Sequence, residues 1–107
     1  MRARLLAMSL LMMAATSPAA ADTLQEVTTH GVVILLGGRQ LDVDYTPDGK
    51  FTVNSGQATG TWRIDGDRLC AITNGAPETC VLYPKGKKSG DSFEVTGPEG
   101  PATVKIK

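Results

Sequence analysis

The sequence predicts an all-β domain, a small antiparallel meander of about eight short strands closed into a barrel or folded as a sandwich. Three observations carry the prediction. Short runs alternate apolar and polar residues, as in Leu41-Asp42-Val43-Asp44-Tyr45 and Thr61-Trp62-Arg63-Ile64, so that one side of each strand is apolar. Clusters of Gly, Pro, Asn and Asp separate these runs at regular intervals. Two cysteines, Cys70 and Cys80, flank one such cluster at positions that face each other across a hairpin.

Ahead of the strands lies a leader. Arg2 and Arg4 open it, an apolar run from Leu5 to Ala15 follows, and Pro18 precedes the small residues Ala19-Ala20-Ala21. That order predicts a secretory signal peptide over residues 1–21 and a single domain over residues 22–107. The apolar run is too short to cross a bilayer core of about 30 Å as a helix, so no membrane span is expected after processing. Eleven Lys and Arg balance eleven Asp and Glu; losing Arg2 and Arg4 leaves nine against eleven, a formal −2. Nothing in that balance asks for nucleic acid or an anionic membrane. A periplasmic or secreted protein is expected.

In the domain itself, Thr23 and Glu26 have the spacing of a capping box, and Leu24 and Val27 fall on one side. Asp22 to Thr29 is therefore read as one short helical turn or as a frayed tail. Val32 to Leu36 does not alternate, which predicts a strand covered on both faces and stopped by Gly37-Gly38. Leu41 to Tyr45 is a half-buried strand, Thr46-Pro47-Asp48-Gly49 a turn, and Phe51 and Val53 belong to the returning strand. Asn54-Ser55-Gly56 leads into the stretch Thr59 to Tyr83, which holds the single Trp and both Cys.

Within that stretch Trp62 and Ile64 share a face, Asp65-Gly66-Asp67 reverses the chain, and Leu69 to Thr73 returns. Asn74-Gly75-Ala76-Pro77 turns again before Thr79 to Tyr83. A hairpin symmetric about Gly75 sets Cys70 opposite Cys80, within reach of a disulfide. A lysine-rich loop then leads to a strand carrying Phe93 and Val95. Gly97 to Pro101 makes the last turn before a closing strand with Val104 and Ile106 inward. The expected inward set is Val43, Tyr45, Phe51, Val53, Trp62, Ile64, Leu69, Val81, Tyr83, Phe93, Val95, Val104 and Ile106. The cysteine hairpin is apolar on both faces, with Leu69, Ala71, Val81 and Tyr83 on one and Cys70, Ile72, Cys80 and Leu82 on the other. The second face calls for a cover, either Leu24 and Val27 of the N-terminal turn or a partner chain. Ile72, Leu82, Trp62 and Tyr83 are the candidate interaction residues.

The order Tyr45-x-Pro47-Asp48-Gly49, Gly60-Thr61-Trp62, Gly66-Asp67-x-Leu69-Cys70 and Cys80 resembles a group of small, uncharacterised secreted proteobacterial proteins. The resemblance covers Leu41 to about Tyr83 and implies an exported β-sheet domain, with no activity attached. The Gly-x-Trp element also looks like that of lipocalin-type barrels, although the chain is about half their usual length.

Chemistry-bearing residues are few. His30 is the single histidine, and no Ser stands in a Gly-x-Ser-x-Gly elbow, so no catalytic residue is assigned. Nine residues separate the cysteines, which suits a structural disulfide and not a Cys-x-x-Cys redox pair. Asp42 and Asp44 share a strand face with Asp48 in the next turn. They are candidates for a hard cation or for hydrolysis, against the plainer reading of solvated acids. Lys85, Lys87 and Lys88 form the one basic cluster, a dock for an anion or acidic partner or else a solvated connector.

The expected function is a non-enzymatic exported binding module, stabilised by one disulfide, that takes an envelope protein or a small molecule through its hairpin face or barrel mouth. An inhibitor of a host lysozyme is one concrete form. The alternatives are a carboxylate-based metal-binding protein or hydrolase using Asp42, Asp44 and Asp48, and a purely structural envelope subunit. No cofactor is expected, and the molecule is read as a monomer or weak homodimer.

Overall fold

A computed structural model describes residues 23–107; the expected leader, residues 1–21, lies outside them. One helix, α1 (Thr23–His30), precedes eight strands: β1 (Val32–Leu36), β2 (Arg39–Thr46), β3 (Lys50–Val53), β4 (Ala58–Asp65), β5 (Arg68–Thr73), β6 (Thr79–Leu82), β7 (Ser92–Gly97) and β8 (Gly100–Ile106). All eight join one antiparallel sheet in the order β6-β5-β4-β3-β2-β1-β8-β7. The two edges, β6 and β7, return alongside each other, so the sheet is a nearly closed barrel and not a sandwich.

Tight turns dictate most of this order. Leu36 pairs with Arg39 across Gly37-Gly38, and Asp65 with Arg68 across Gly66-Asp67, leaving each strand no option but to lie beside its predecessor. The pairing of β1 with β8, Val32 opposite Ile106 and Ile34 opposite Val104, then brings the two ends of the domain together. Along each strand every second residue faces inward. Val32, Val104 and Ile106 are fully buried, and Val43, Phe51, Leu69, Tyr83 and Val95 share their cluster.

Two expectations about burial are corrected. The apolar run of β1 is not covered on both sides: Leu35 faces out and is 50% exposed. A single apolar side chain in water is an ordinary cost that a β-branched, strand-favouring run tolerates. Ile64 keeps the inward side of its ladder, opposite Leu69, but lies near the end of β4 and is 45% exposed.

The helix is longer than one turn and has a different task from the one expected. Leu24 and Val27 do not cover the outer face of the cysteine hairpin; they join the core, Val27 with no exposed surface, and α1 packs on β2 and β8. It closes the end of the barrel where β1 begins and β8 finishes. Gly31 ends the helix: its N–H donates to the Val27 carbonyl at 2.8 Å with φ +80. A Cβ there would come within 2.6 Å of the Val43 carbonyl oxygen.

The capping-box pair works at long range. Thr23 Oγ1 accepts from the Lys87 N–H at 3.0 Å, and the Glu26 carboxylate accepts from the Ser89 N–H at 2.9 Å. These bonds tie the helix to the loop between β6 and β7, which Gly90 and Asp91 in turn tie to Ile106. Among the described residues, no helix is long and apolar enough to cross a membrane.

Candidate functional site in the barrel lumen

With α1 closing one end, the opposite end is ringed by the β1–β2, β3–β4, β5–β6 and β7–β8 turns. Between them a cavity of about 200 Å³ runs into the barrel. Its wall is made by the inward residues of five strands: Ile34, Leu41, Val43, Tyr45, Phe51, Val53, Leu69, Ala71 and Val81, with Thr73 and Thr79 toward the rim and Tyr83 deeper. A second space of about 170 Å³ shares Ile34, Leu41, Val81 and Tyr83 and extends to Leu36, Pro98 and Glu99. Among the described residues, no Lys, Arg or His lines either one.

Aromatic rings pack around the lumen. Tyr45 lies 6.1 Å from Phe51 and edge-on to Trp62 at 6.0 Å, and Tyr83 is edge-on to Phe93 at 5.9 Å, across the seam between the sheet edges. Trp62 is a pin and not a platform. Its Nε1–H donates to the Thr46 carbonyl at 3.1 Å and the Lys50 carbonyl at 3.0 Å, bracing the β2–β3 turn.

Apart from Thr73 and Thr79 at the rim and Glu99 in the second space, the polar side chains of the described lining are the two phenols. Tyr83 is 6% exposed, and neither its hydroxyl nor that of Tyr45 hydrogen-bonds to any of the described residues. Burial raises the Tyr83 pKa to about 12. Burial, reinforced by the charge that Tyr83 would carry, lifts Tyr45 well above the usual phenol range.

These shifts predict alkaline sensitivity. Below about pH 10 the tyrosines are protonated both in the fold and in the unfolded chain, and no difference arises. Above that, the unfolded chain releases its protons first, so stability falls as pH climbs toward the folded value near 12. At about pH 11 the loss from Tyr83 should be about 1.4 kcal/mol, with Tyr45 acting in the same direction. Thermal melts taken across this range should show the fall, and Tyr83→Phe should blunt it; equal falls in both proteins would detach the effect from this phenol.

The four candidate interaction residues do not form one surface. Ile72 and Leu82 face outward, Leu82 being 63% exposed, whereas Trp62 and Tyr83 face the interior. On the outer side Cys70 and Cys80 pair in register and are joined by a disulfide. Arg63, the β4 neighbour of Cys70, donates from Nε and Nη2 to the two carboxylate oxygens of Glu78 at 2.8 and 2.9 Å. This fork helps leave Cys70 with no exposed surface, and each partner stabilises the other's charge, lowering the Glu78 pKa and raising that of Arg63. Glu78 also lies near both sulfurs, but these are bonded to each other and offer no thiolates.

Asp42 and Asp44 do come together, around an ammonium. Lys107 Nζ donates to both, to Asp44 at 2.8 Å, and the hydrogen bond to Asp42, then that to Asp44, raises the lysine pKa. Asp48 stands apart, accepting from the Thr46 hydroxyl, which lowers its pKa. His30 Nε2 lies 3.7 Å from Glu26 on the helix surface. The lysine cluster belongs to the loop that holds the helix: Lys87 and Lys88 donate backbone N–H groups to Thr23 and Asp91, and Lys85 Nζ lies 3.4 Å from Asp67.

Sequence reasoning missed Ile34, Leu41, Thr73 and Thr79 as lumen residues. All four occupy inward positions of their strands, and Thr73 and Thr79 flank the Asn74-Gly75 turn, so the alternation itself carried the signal. No family model, curated protein or solved structure matches the chain.

Proposed function

We propose that the protein is a non-enzymatic exported binding module that takes a small molecule into its barrel lumen. The carrying observation is the lumen: an apolar cavity of about 200 Å³, closed at one end by α1 and reaching the rim at Thr73 and Thr79. Ligand sites are concave, mostly apolar and furnished with few polar groups, and this cavity has that make-up. Export is supported by the basic, apolar and small-residue order of residues 1–21 and by a disulfide, which persists in oxidising compartments. The carboxylate reading finds less support, because Asp42 and Asp44 already share the Lys107 ammonium and Asp48 lies elsewhere.

The test is a titration of the oxidised protein with ethylbenzene, followed by methyl resonances. Ile34, Leu41, Val53 and Val81 should shift while Leu35 and Leu82 stay still. Ala71→Leu, which fills the lumen from its wall, should remove the shifts and keep the fold. Shifts confined to Leu35 and Leu82 would move the site to the outer surface, and no saturable shift anywhere would end the lumen reading.

A further inference from the structure

Building on that lumen reading, we propose that the ligand is an uncharged, ring-sized apolar molecule carrying one hydrogen-bond acceptor, held by the Tyr83 hydroxyl. The inference rests on a mismatch inside the barrel. A wall that is apolar apart from Tyr45, the rim threonines and Glu99 includes a phenol that is more than nine-tenths buried, lines both parts of the lumen and has no hydrogen-bond partner among the described residues. Buried polar groups are nearly always paired, because a hydroxyl taken from water without a partner destabilises the fold. Tyr45 lines the same cavity and lies near enough for the two phenols to influence each other's ionisation. The lumen thus offers polar hydrogen-bonding groups inside an apolar wall.

Size and charge narrow the class. An apolar cavity of about 150 Å³ takes a benzene ring, so about 200 Å³ holds a ring with a short substituent. A carboxylate or phosphate would enter without a counter-ion, since no Lys, Arg or His among the described residues lines the lumen and Glu99 stands at the mouth of its second part. A phenol pushed up to about 12 stays protonated at neutral pH and acts as a donor. A ketone, aldehyde or ester oxygen is the group it would meet.

Three matched probes decide the matter on the oxidised protein: acetophenone, ethylbenzene and benzoate, each followed by methyl and aromatic resonances. Acetophenone should bind about five-fold more tightly than ethylbenzene, the difference one neutral hydrogen bond makes, and benzoate should show no saturable binding. Tyr83→Phe should weaken acetophenone by a similar factor and leave ethylbenzene within about two-fold. Equal affinities for acetophenone and ethylbenzene, with no effect of Tyr83→Phe, would overturn the acceptor class and leave the lumen reading intact. Benzoate binding as tightly as acetophenone would overturn it as well. Failure of all three probes to bind would remove the lumen reading itself. Should Tyr83→Phe not fold, the ratio of acetophenone to ethylbenzene on the unaltered protein decides alone.

Discussion

Gly60→Ala should destabilise the protein by roughly 3–5 kcal/mol, although it adds one methyl group to a strand in a small domain. Gly60 sits in β4 opposite Phe51 of β3 and Thr73 of β5. A Cβ placed on it would lie 1.9 Å from the Ile72 carbonyl oxygen and 2.7 and 2.8 Å from Cζ and Cε2 of Phe51. The ring cannot simply swing aside, since Phe51 is 6% exposed and packed against Tyr45. The carbonyl belongs to the β5 backbone, so relief requires the β4–β5 ladder to open. Overpacking of this kind costs about 1–3 kcal/mol, and each lost ladder bond adds about 1. For a domain of this size the melting temperature should fall by at least about 12 °C. Gly66→Ala is the control: nothing lies within 4 Å of its Cβ, and only the left-handed φ of +64 opposes it, at about 1 kcal/mol. Gly60→Ala melting no lower than Gly66→Ala would show that the close approach is not a constraint on the fold.

Much of the barrel is legible in the amino-acid order, and the reason is local. Short turns leave most successive strands little freedom of order, and alternation assigns faces, so the inward set and the pairing of Cys70 with Cys80 both follow. At the cysteine hairpin, Asn74 and Gly75 each take a positive φ and the Ala76 N–H closes on the Thr73 carbonyl at 2.9 Å; one extra residue on the returning side then sets Cys80, and not Thr79, opposite Cys70. Barrel closure is another matter. The β1–β8 pairing joins residues such as Val32 and Ile106, and no short-range pattern announces it.

Helix placement was illegible for a related reason. Thr23 and Glu26 follow a local capping rule, yet their side chains are spent on backbone N–H groups of Lys87 and Ser89, far along the chain. A rule about four consecutive residues cannot anticipate a competitor that folding brings in from elsewhere. The site divides in the same way. That Tyr45 and Tyr83 face inward is a matter of phase; that their hydroxyls lack partners among the described residues depends on which other groups surround them.

Removing the disulfide should have the other large effect, and a localised one. The bond joins positions 10 residues apart, and in a chain-entropy account a loop of that length contributes about 3 kcal/mol by restricting the unfolded chain. Cys70→Val with Cys80→Val keeps apolar, strand-favouring side chains at the paired positions, so the loss reflects the missing cross-link more than missing volume. Expected is a fall in melting temperature of about 12–24 °C, matched by adding reductant to the unaltered protein and absent when reductant is added to the variant. Topology says where the loosening begins. β6 has only four residues and pairs with β5 alone, its other edge meeting β7 without a ladder. Uncoupled from β5, this strand has the least to hold it, and it carries Val81 into the lumen wall just before Tyr83. Amide exchange should therefore accelerate at Val81 and Leu82 well before it does at Val32 and Val104, which are buried between two paired strands. Uniform acceleration across the barrel would mean that the disulfide stabilises the molecule as a whole and has no special hold on the seam.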